Sequence, residues 1–284
     1  ARSRAPKSQT QGMAAAAPAK SVPMTWAEGF AASFKAKLEA GDAAGVASLY
    51  ADDAILSLDG ANHAGKAAIG GHWASIMGGR GIILKVAQVS GIGADLTGGA
   101  RVVAVCLTGE WAPAGAATAQ RFASVFTLLP PAAAGAQPLV KNHIHRASTA
   151  DSQAPNVPPS HAPIQDFVGK FIGAFDGAAS GEARAAALGF AYADGVSMTF
   201  EQDEFAGKEA ALRKLASLPA GKHKPCTVDV HPITASASVA FVTGQLVLEE
   251  HPMFYVQAIF LAATPAGSQA PYIIVGDMFQ FNYA

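Results

Sequence analysis

A helical period of apolar positions gives way to runs rich in Val, Ile, Phe and Thr along this chain, and it does so twice in the same order. Trp26, Phe30, Phe34 and Leu38 recur every fourth position, which predicts an amphipathic helix from near Thr25. Gly41 ends it, because glycine accepts left-handed geometry. Asp42 is placed to cap a second helix over 43–51, with Val46, Leu49 and Tyr50 inward. A strand over 54–59 and a helix over 66–77 follow. Strands are then expected near 82–92, 101–111, 119–129 and 138–147, rich in Val, Ile, Phe and Thr between Gly and Pro breaks. The polar, Pro-rich stretch "STADSQAPNVPPSHAP" at 148–163 reads as a linker. Beyond it, Ile164, Phe167, Val168, Phe171 and Phe175 mark one face of a helix over 164–176. A helix over 182–192, a strand over 196–200, a helix over 208–218 and four strands over 226–281 complete the pattern.

The repetition extends to residue identity. "YADDAILSLDGANHAGKAAI" from Tyr50 aligns without a gap to "YADGVSMTFEQDEFAGKEAA" from Tyr192, and nine of 27 positions match between 50–76 and 192–218. "VCLTGEW" from Val105 matches "FVTGQL" from Phe241, "SVFTLL" from Ser124 echoes "AIFLAA" from Ala258, and "KNHIHR" from Lys141 is set over "GDMFQF" from Gly276. The expected fold class is α+β: two tandem cones, each a curved antiparallel sheet wrapped by about three helices. The expected divisions are a basic Ala/Pro/Ser-rich extension at 1–24, a divergent first domain at 25–147, the linker at 148–163 and a second domain at 164–284.

Composition narrows the function. Apolar residues make up 50% of the 284 positions and charged residues 14%, against about 25% charged in an average soluble domain. Such a surface suits a subunit that buries much of itself; abundant Ala and Gly offer an alternative cause. A net charge of −1 argues against a nucleic-acid binder, which would show a basic patch. Cys106 and Cys226 form neither a ligand cluster nor a disulfide framework. No apolar run reaches membrane-spanning length. Residues 1–23 carry Arg2, Arg4, Lys7 and Lys20 with no acid before Glu28, the composition of a processed organelle transit peptide.

The second half resembles nuclear transport factor 2. The residues that carry the likeness are "YADGVSMTFEQDEFAGKEAALRKLASLP" (192–219), "VTGQLVLEEHPMFYVQAIFLA" (242–262) and "VGDMFQF" (275–281). The first half is similar to the wider superfamily that includes ketosteroid isomerases and polyketide cyclases, through "GDAAGVASLYADDAILSLDG". The resemblance implies conical pockets and sheet-to-sheet pairing, so a tandem copy could form a pseudo-dimer within one chain. It implies no cofactor. In the second half it assigns partner binding, to the GDP form of the small GTPase Ran, to Phe200, Glu201, Glu249, Glu250 and Phe279. Phe200 stands where the family has tryptophan, and His251 breaks the acidic run. In the first half, the isomerase tyrosine and aspartate positions fall on Phe34 and Leu58, which can neither donate into an oxyanion hole nor move a proton. Asp59 is next to Leu58 but one strand step away, on the other face.

His143 and His145, at i and i+2 on a strand, face one side and are weak metal candidates that would need a third ligand such as His63 or His72. "GIGADLTGG" at 91–99 mimics a phosphate loop but leads into a strand, not a helix. Three readings stand. The first is a non-catalytic structural subunit of a mitochondrial complex, with a respiratory-chain complex or ATP synthase favoured. The second is a nucleocytoplasmic, Ran-GDP-type protein-binding adaptor. The third is a small-ligand binder or enzyme using the first cone.

Overall fold

In a computed structural model, which describes residues 21–96, 101–131, 137–147 and 156–283, the chain forms two six-stranded sheets of the same topology. The expected extension lies outside the described residues up to position 20, and the expected linker up to 155. In the first half, α1 (Val22–Glu39), α2 (Ala43–Ala47) and α3 (Lys66–Met77) accompany β1 (Tyr50–Leu58), β2 (Ala61–Ala64), β3 (Ile82–Asp95), β4 (Arg101–Pro113), β5 (Gln120–Leu129) and β6 (Leu139–Ala147). After a 3-10 turn at Pro159–His161, the second half repeats this with α4 (Ala162–Gly177), α5 (Gly181–Leu188), α6 (Lys208–Ser217), β7 (Tyr192–Phe200), β8 (Asp203–Ala206), β9 (Gly221–Thr234), β10 (Ala237–Leu248), β11 (His251–Ala263) and β12 (Tyr272–Phe281). The strand orders are β2-β1-β6-β5-β4-β3 and β8-β7-β12-β11-β10-β9. β1 runs parallel to β6 and β7 parallel to β12, so neither sheet is wholly antiparallel.

The helix starts have local causes. Ser21 caps α1 by accepting the Met24 N–H at 3.3 Å, so α1 begins before the expected Thr25. Asp42 caps α2 through the Gly45 N–H at 2.8 Å. Tyr50 and Tyr192 open strands rather than closing helices. Their inward side chains fit either reading, and pairing to Val140 and Ile274 decides for strand. β2 and β8, four residues each, give no periodic signal in the sequence.

Each cone curls at a bulge. The β3–β4 register skips one residue between Val86 and Gln88, opposite Gly109; the β9–β10 register skips one opposite Gly244. A Cβ on Gly109 would stand 2.1 Å from the Lys85 carbonyl oxygen. The shared Thr-Gly of the two halves is therefore the residue pair that admits the bulge and its added bend.

β4, β5, β10 and β11 are buried on both faces over most of their length, which explains their unbroken apolar runs. On β4, Val103, Val105 and Leu107 face α1 and α3 within the first cone, while Val102, Ala104 and Cys106 face the other sheet. The latter meet a layer from the second half that includes Val239, Phe241, Val256, Ala258, Phe260 and Met278. The two cones thus pack sheet to sheet within one chain, and part of the low surface charge follows from this covered layer. Small residues permit the approach: a Cβ on Gly276 would lie 2.8 Å from Ile92 Cδ1.

The interface carries a pseudo-two-fold axis. Strand pairing places Asn142 opposite Ile55 and Gly276 opposite Ser197, so β6 maps onto β12 at an offset of 134, one less than the sequence echo suggests. A one-residue slip exchanges faces. His143 accordingly matches Asp277, and Ile144 matches Met278, the latter two both in the layer between sheets. Likewise β5 maps onto β11 at 133, so Ser124 matches Gln257 and not Ala258. Under this mapping Arg146 corresponds to Gln280, and Asp229 on β9 to Ser90 on β3. Arg146 donates from Nε to Asp229 Oδ2 at 2.7 Å and from a terminal nitrogen to Oδ1, while Gln280 donates to Ser90 Oγ at 2.5 Å. One position of the axis holds a buried ion pair and its mate a neutral bond.

Candidate functional site

The second cone closes over a small aromatic interior. Phe171 and Phe175 from α4, Met198 and Phe200 from β7, and Phe279 from β12 line a cavity of about 20 Å³, room for about one water molecule. Phe200 and Phe279 stack with ring centroids 4.7 Å apart, and Tyr255 stacks on Phe279 at 5.3 Å. Lys214 Nζ lies 4.6 Å from the Phe200 ring centre, a cation–π contact. Both aromatic residues assigned by resemblance therefore reach one place.

The three glutamates do not share a role. Glu249 and Glu250 form the exposed two-residue turn between β10 and β11, with φ of 47° and 70°, the type I′ geometry that suits a tight hairpin. They are solvated carboxylates beside the exposed His251. Glu201 is different. It sits at φ 58° after β7, its Oε1 accepts the Phe281 N–H at 2.5 Å, and its Oε2 accepts from Gln88 Nε2 at 2.6 Å. Its carbonyl accepts from Ser90 Oγ at 2.9 Å. Gln88 and Ser90 belong to the first half, so Glu201 joins the two cones and is not a free rim carboxylate. Asp59 is its counterpart in the repeat: φ 47°, with Oδ1 accepting the Ala147 N–H at 2.7 Å.

Behind each interior lies a buried polar group that the sequence echoes left out of register. In the second cone Tyr192 donates to Asp277 Oδ2 at 2.5 Å and Gln257 to Oδ1 at 2.8 Å. Burial pushes the Asp277 carboxyl up to about 6 against these bonds, which favour its charged form, and burial with the Asp277 charge holds Tyr192 well above the usual phenol range. In the first cone Tyr50 meets His143 Nδ1 at 2.7 Å, His143 Nε2 meets Ser124 Oγ at 3.3 Å, and Ser124 Oγ meets His145 Nδ1 at 2.8 Å. Burial holds both imidazoles neutral, His143 well below its ordinary value and His145 at about 4.

His143 and His145 do face one side, with ring centroids 6.1 Å apart and perpendicular. Their Nδ1 atoms are engaged by Tyr50 and Ser124. His63 and His72 lie against each other instead, with ring centroids 3.8 Å apart and planes tilted by 31°. Among the described residues no group of three or more His, Cys, Asp or Glu side chains could hold a metal ion. Phe34 packs in the apolar core against Phe30, Trp73 and Phe126, and Leu58 ends β1.

A family profile, the nuclear transport factor 2 domain, matches residues 166–281. Nuclear transport factor 2B of Arabidopsis thaliana is 38% identical over 98 residues, covering 33% of this chain and 75% of the relative. The chain belongs to the nuclear transport factor 2 family. Nuclear transport factor 2 of Oryza sativa subsp. japonica is 37% identical over 102 residues, 34% of this chain and 80% of its own. Among solved structures, nuclear transport factor 2 from Cryptosporidium parvum aligns at 26% identity and a TM-score of 0.38, over 45% of this chain and 99% of that one. The family match lies in the second half, the half that holds the Phe200–Phe279 cavity.

Proposed function

We propose that this chain is a non-catalytic, protein-binding adaptor of the nuclear transport factor type, with its pairing partner supplied in cis. The observation that carries the reading is the family match across the second cone. On this reading Phe200, Phe279, Glu249 and Glu250 serve the partner, and Glu201 serves the junction between cones. The fused repeat supports the same reading. A covalent mate holds its sheet at high effective concentration, leaving the helical sides and cone mouths for other proteins.

The test is a titration of the purified chain with the small GTPase Ran loaded with GDP, followed by calorimetry. Binding that is lost in Phe279→Ala supports the use of the cavity, and unchanged binding in that variant refutes it. The structural-subunit reading, in a mitochondrial respiratory-chain complex or ATP synthase, draws its support from the basic, acid-free stretch 1–23. Native-gel fractionation of mitochondria with mass spectrometry separates the two. Co-migration with a membrane complex favours the subunit, and recovery of a nucleocytoplasmic 28.9 kDa species favours the carrier.

A further inference from the structure

An interface between two identical sheets would make each of its contacts twice. The interface between these cones makes each contact once, with different residues at the mate position. Arg146 of the first cone meets Asp229 of the second, and the mate contact is Gln280 with Ser90. All four side chains are buried. Two first cones paired through the same faces would set Arg146 against Ser90 twice, with no carboxylate across from either guanidinium. Two second cones would set Asp229 against Gln280 twice. Each buried carboxylate would then keep only amide donors, that of Gln280 and the Asn156 N–H. Separating the members of a buried ion pair leaves charge in a layer that cannot solvate it. Both like pairings carry that cost, and the unlike pairing is neutral.

A second position discriminates by volume. Ile92 of the first cone lies over Gly276 of the second, where a Cβ would stand 2.8 Å from Ile92 Cδ1. The same mapping sets His231 at the Ile92 position and Asn142 at the Gly276 position. Asn142 there reaches across the interface, donating from Nδ2 to the Pro232 carbonyl at 3.2 Å. In a pair of first cones, Ile92 would meet Asn142, whose side chain needs the space that Gly276 leaves open. In a pair of second cones, His231 would meet Gly276, and a gap would open beneath a buried imidazole. Charge and volume are independent properties, and they reject the same two pairings.

We infer that these positions make the two sheet faces mutually exclusive. The first cone's face accepts a sheet with a carboxylate at the Asp229 position and a glycine at the Gly276 position. The second cone's face accepts a sheet with a guanidinium at the Arg146 position. Neither accepts a copy of itself. A chain with two such faces needs this selection, because faces that paired with their own kind would join chain to chain without closing. An unlike pair closes within one chain. The same device turns away single-cone proteins whose pairing face is self-complementary, and it holds whichever protein the cone mouths bind.

Two charge reversals in the full chain test this. Arg146→Asp sets a carboxylate against Asp229 and so frees the second cone's unaltered face. Asp229→Arg frees the first cone's unaltered face in the same way. Each variant alone is expected to stay monomeric, because its freed face meets only its own kind. Refolded together in equal amounts, they are expected to form a 1:1 pair in which every sheet finds an opposite charge. Native mass spectrometry separates that pair from like pairs by mass. Mixed pairs are expected to exceed like pairs at least about tenfold, where indifferent faces would give equal amounts. The double variant, Arg146→Asp with Asp229→Arg, restores the ion pair in reverse and is expected to sediment as a monomer as compact as the parent. It decides the matter if a single variant fails to fold alone. Like pairs or polymers of either single variant, a folded mixture without the 1:1 pair, or a double variant no more compact than the singles overturns the inference.

Discussion

Arg146→Ala removes one partner of the ion pair that crosses between the cones. Arg146 is 2% exposed and Asp229 fully buried. Asp229 Oδ1 would retain the Asn156 N–H at 2.9 Å, but the two guanidinium bonds would go. A buried carboxylate left without its cation costs about 3–5 kcal/mol. The pseudo-two-fold supplies the control. Arg146→Gln with Asp229→Ser copies the Gln280–Ser90 contact of the mate position. Replacing a buried ion pair by neutral groups is often neutral or stabilising, so the double variant is expected within about 1–2 kcal/mol of the parent. Urea unfolding followed by tryptophan fluorescence and by far-ultraviolet circular dichroism measures both. Trp26, Trp73 and Trp111 all lie in the first half, so fluorescence reports that cone and dichroism the whole. Coincident curves are expected if the cones unfold as one unit. A cost below about 1 kcal/mol for Arg146→Ala, or a double variant no better than the single, would refute the reasoning.

Other outcomes follow from the same packing. Gly109→Ala places a Cβ against the Lys85 carbonyl and should cost about 1–3 kcal/mol or more by thermal unfolding, since the bulge itself must shift. His145 and His231 both have folded values lowered by burial to about 4. The unfolded state then binds more protons, so each contributes stability present above pH 6.5 and lost as pH falls toward 4, on the order of 3 kcal/mol apiece. Asp277, raised to about 6, has the opposite sign. Its contribution is lost as pH rises from 4 to 6, so Asp277→Asn should steepen the rise of stability with pH over that window, measured by urea titration at half-unit steps. Ser21→Ala removes the cap of α1 and should lower stability by about 0.5–2 kcal/mol, read by calorimetry.

The order of helices and long strands was legible in the sequence because helices carry a 3.6-residue apolar period, whereas strands are runs rich in Val, Ile, Phe and Thr between Gly and Pro breaks. Topological duplication was equally legible in the gapless match from Tyr50 and Tyr192. The register of the later strands was not. Apolar runs such as "RVVAVCLTG" are buried on both faces, so no alternation marks which side chains enter the cone. Setting Lys141 over Gly276 put His143 over Met278, an interface residue, when the strand pairing sets it over Asp277. That one step concealed the shared Tyr–His and Tyr–Asp contacts. Phe200 and Phe279, both in ungapped motifs, stack with ring centroids 4.7 Å apart. Glu201 could not be separated from Glu249 and Glu250 by residue type, because only the fold brings Gln88 and Ser90 to it.

Sedimentation velocity of the purified chain at micromolar concentration tests the central claim, that one chain pairs its own two cones sheet to sheet. The account predicts a single compact species at the monomer mass of 28.9 kDa, since the outer face of each sheet is already covered. A concentration-dependent species of twice that mass, abolished by Arg146→Ala, would show that the sheets pair between chains and would contradict it.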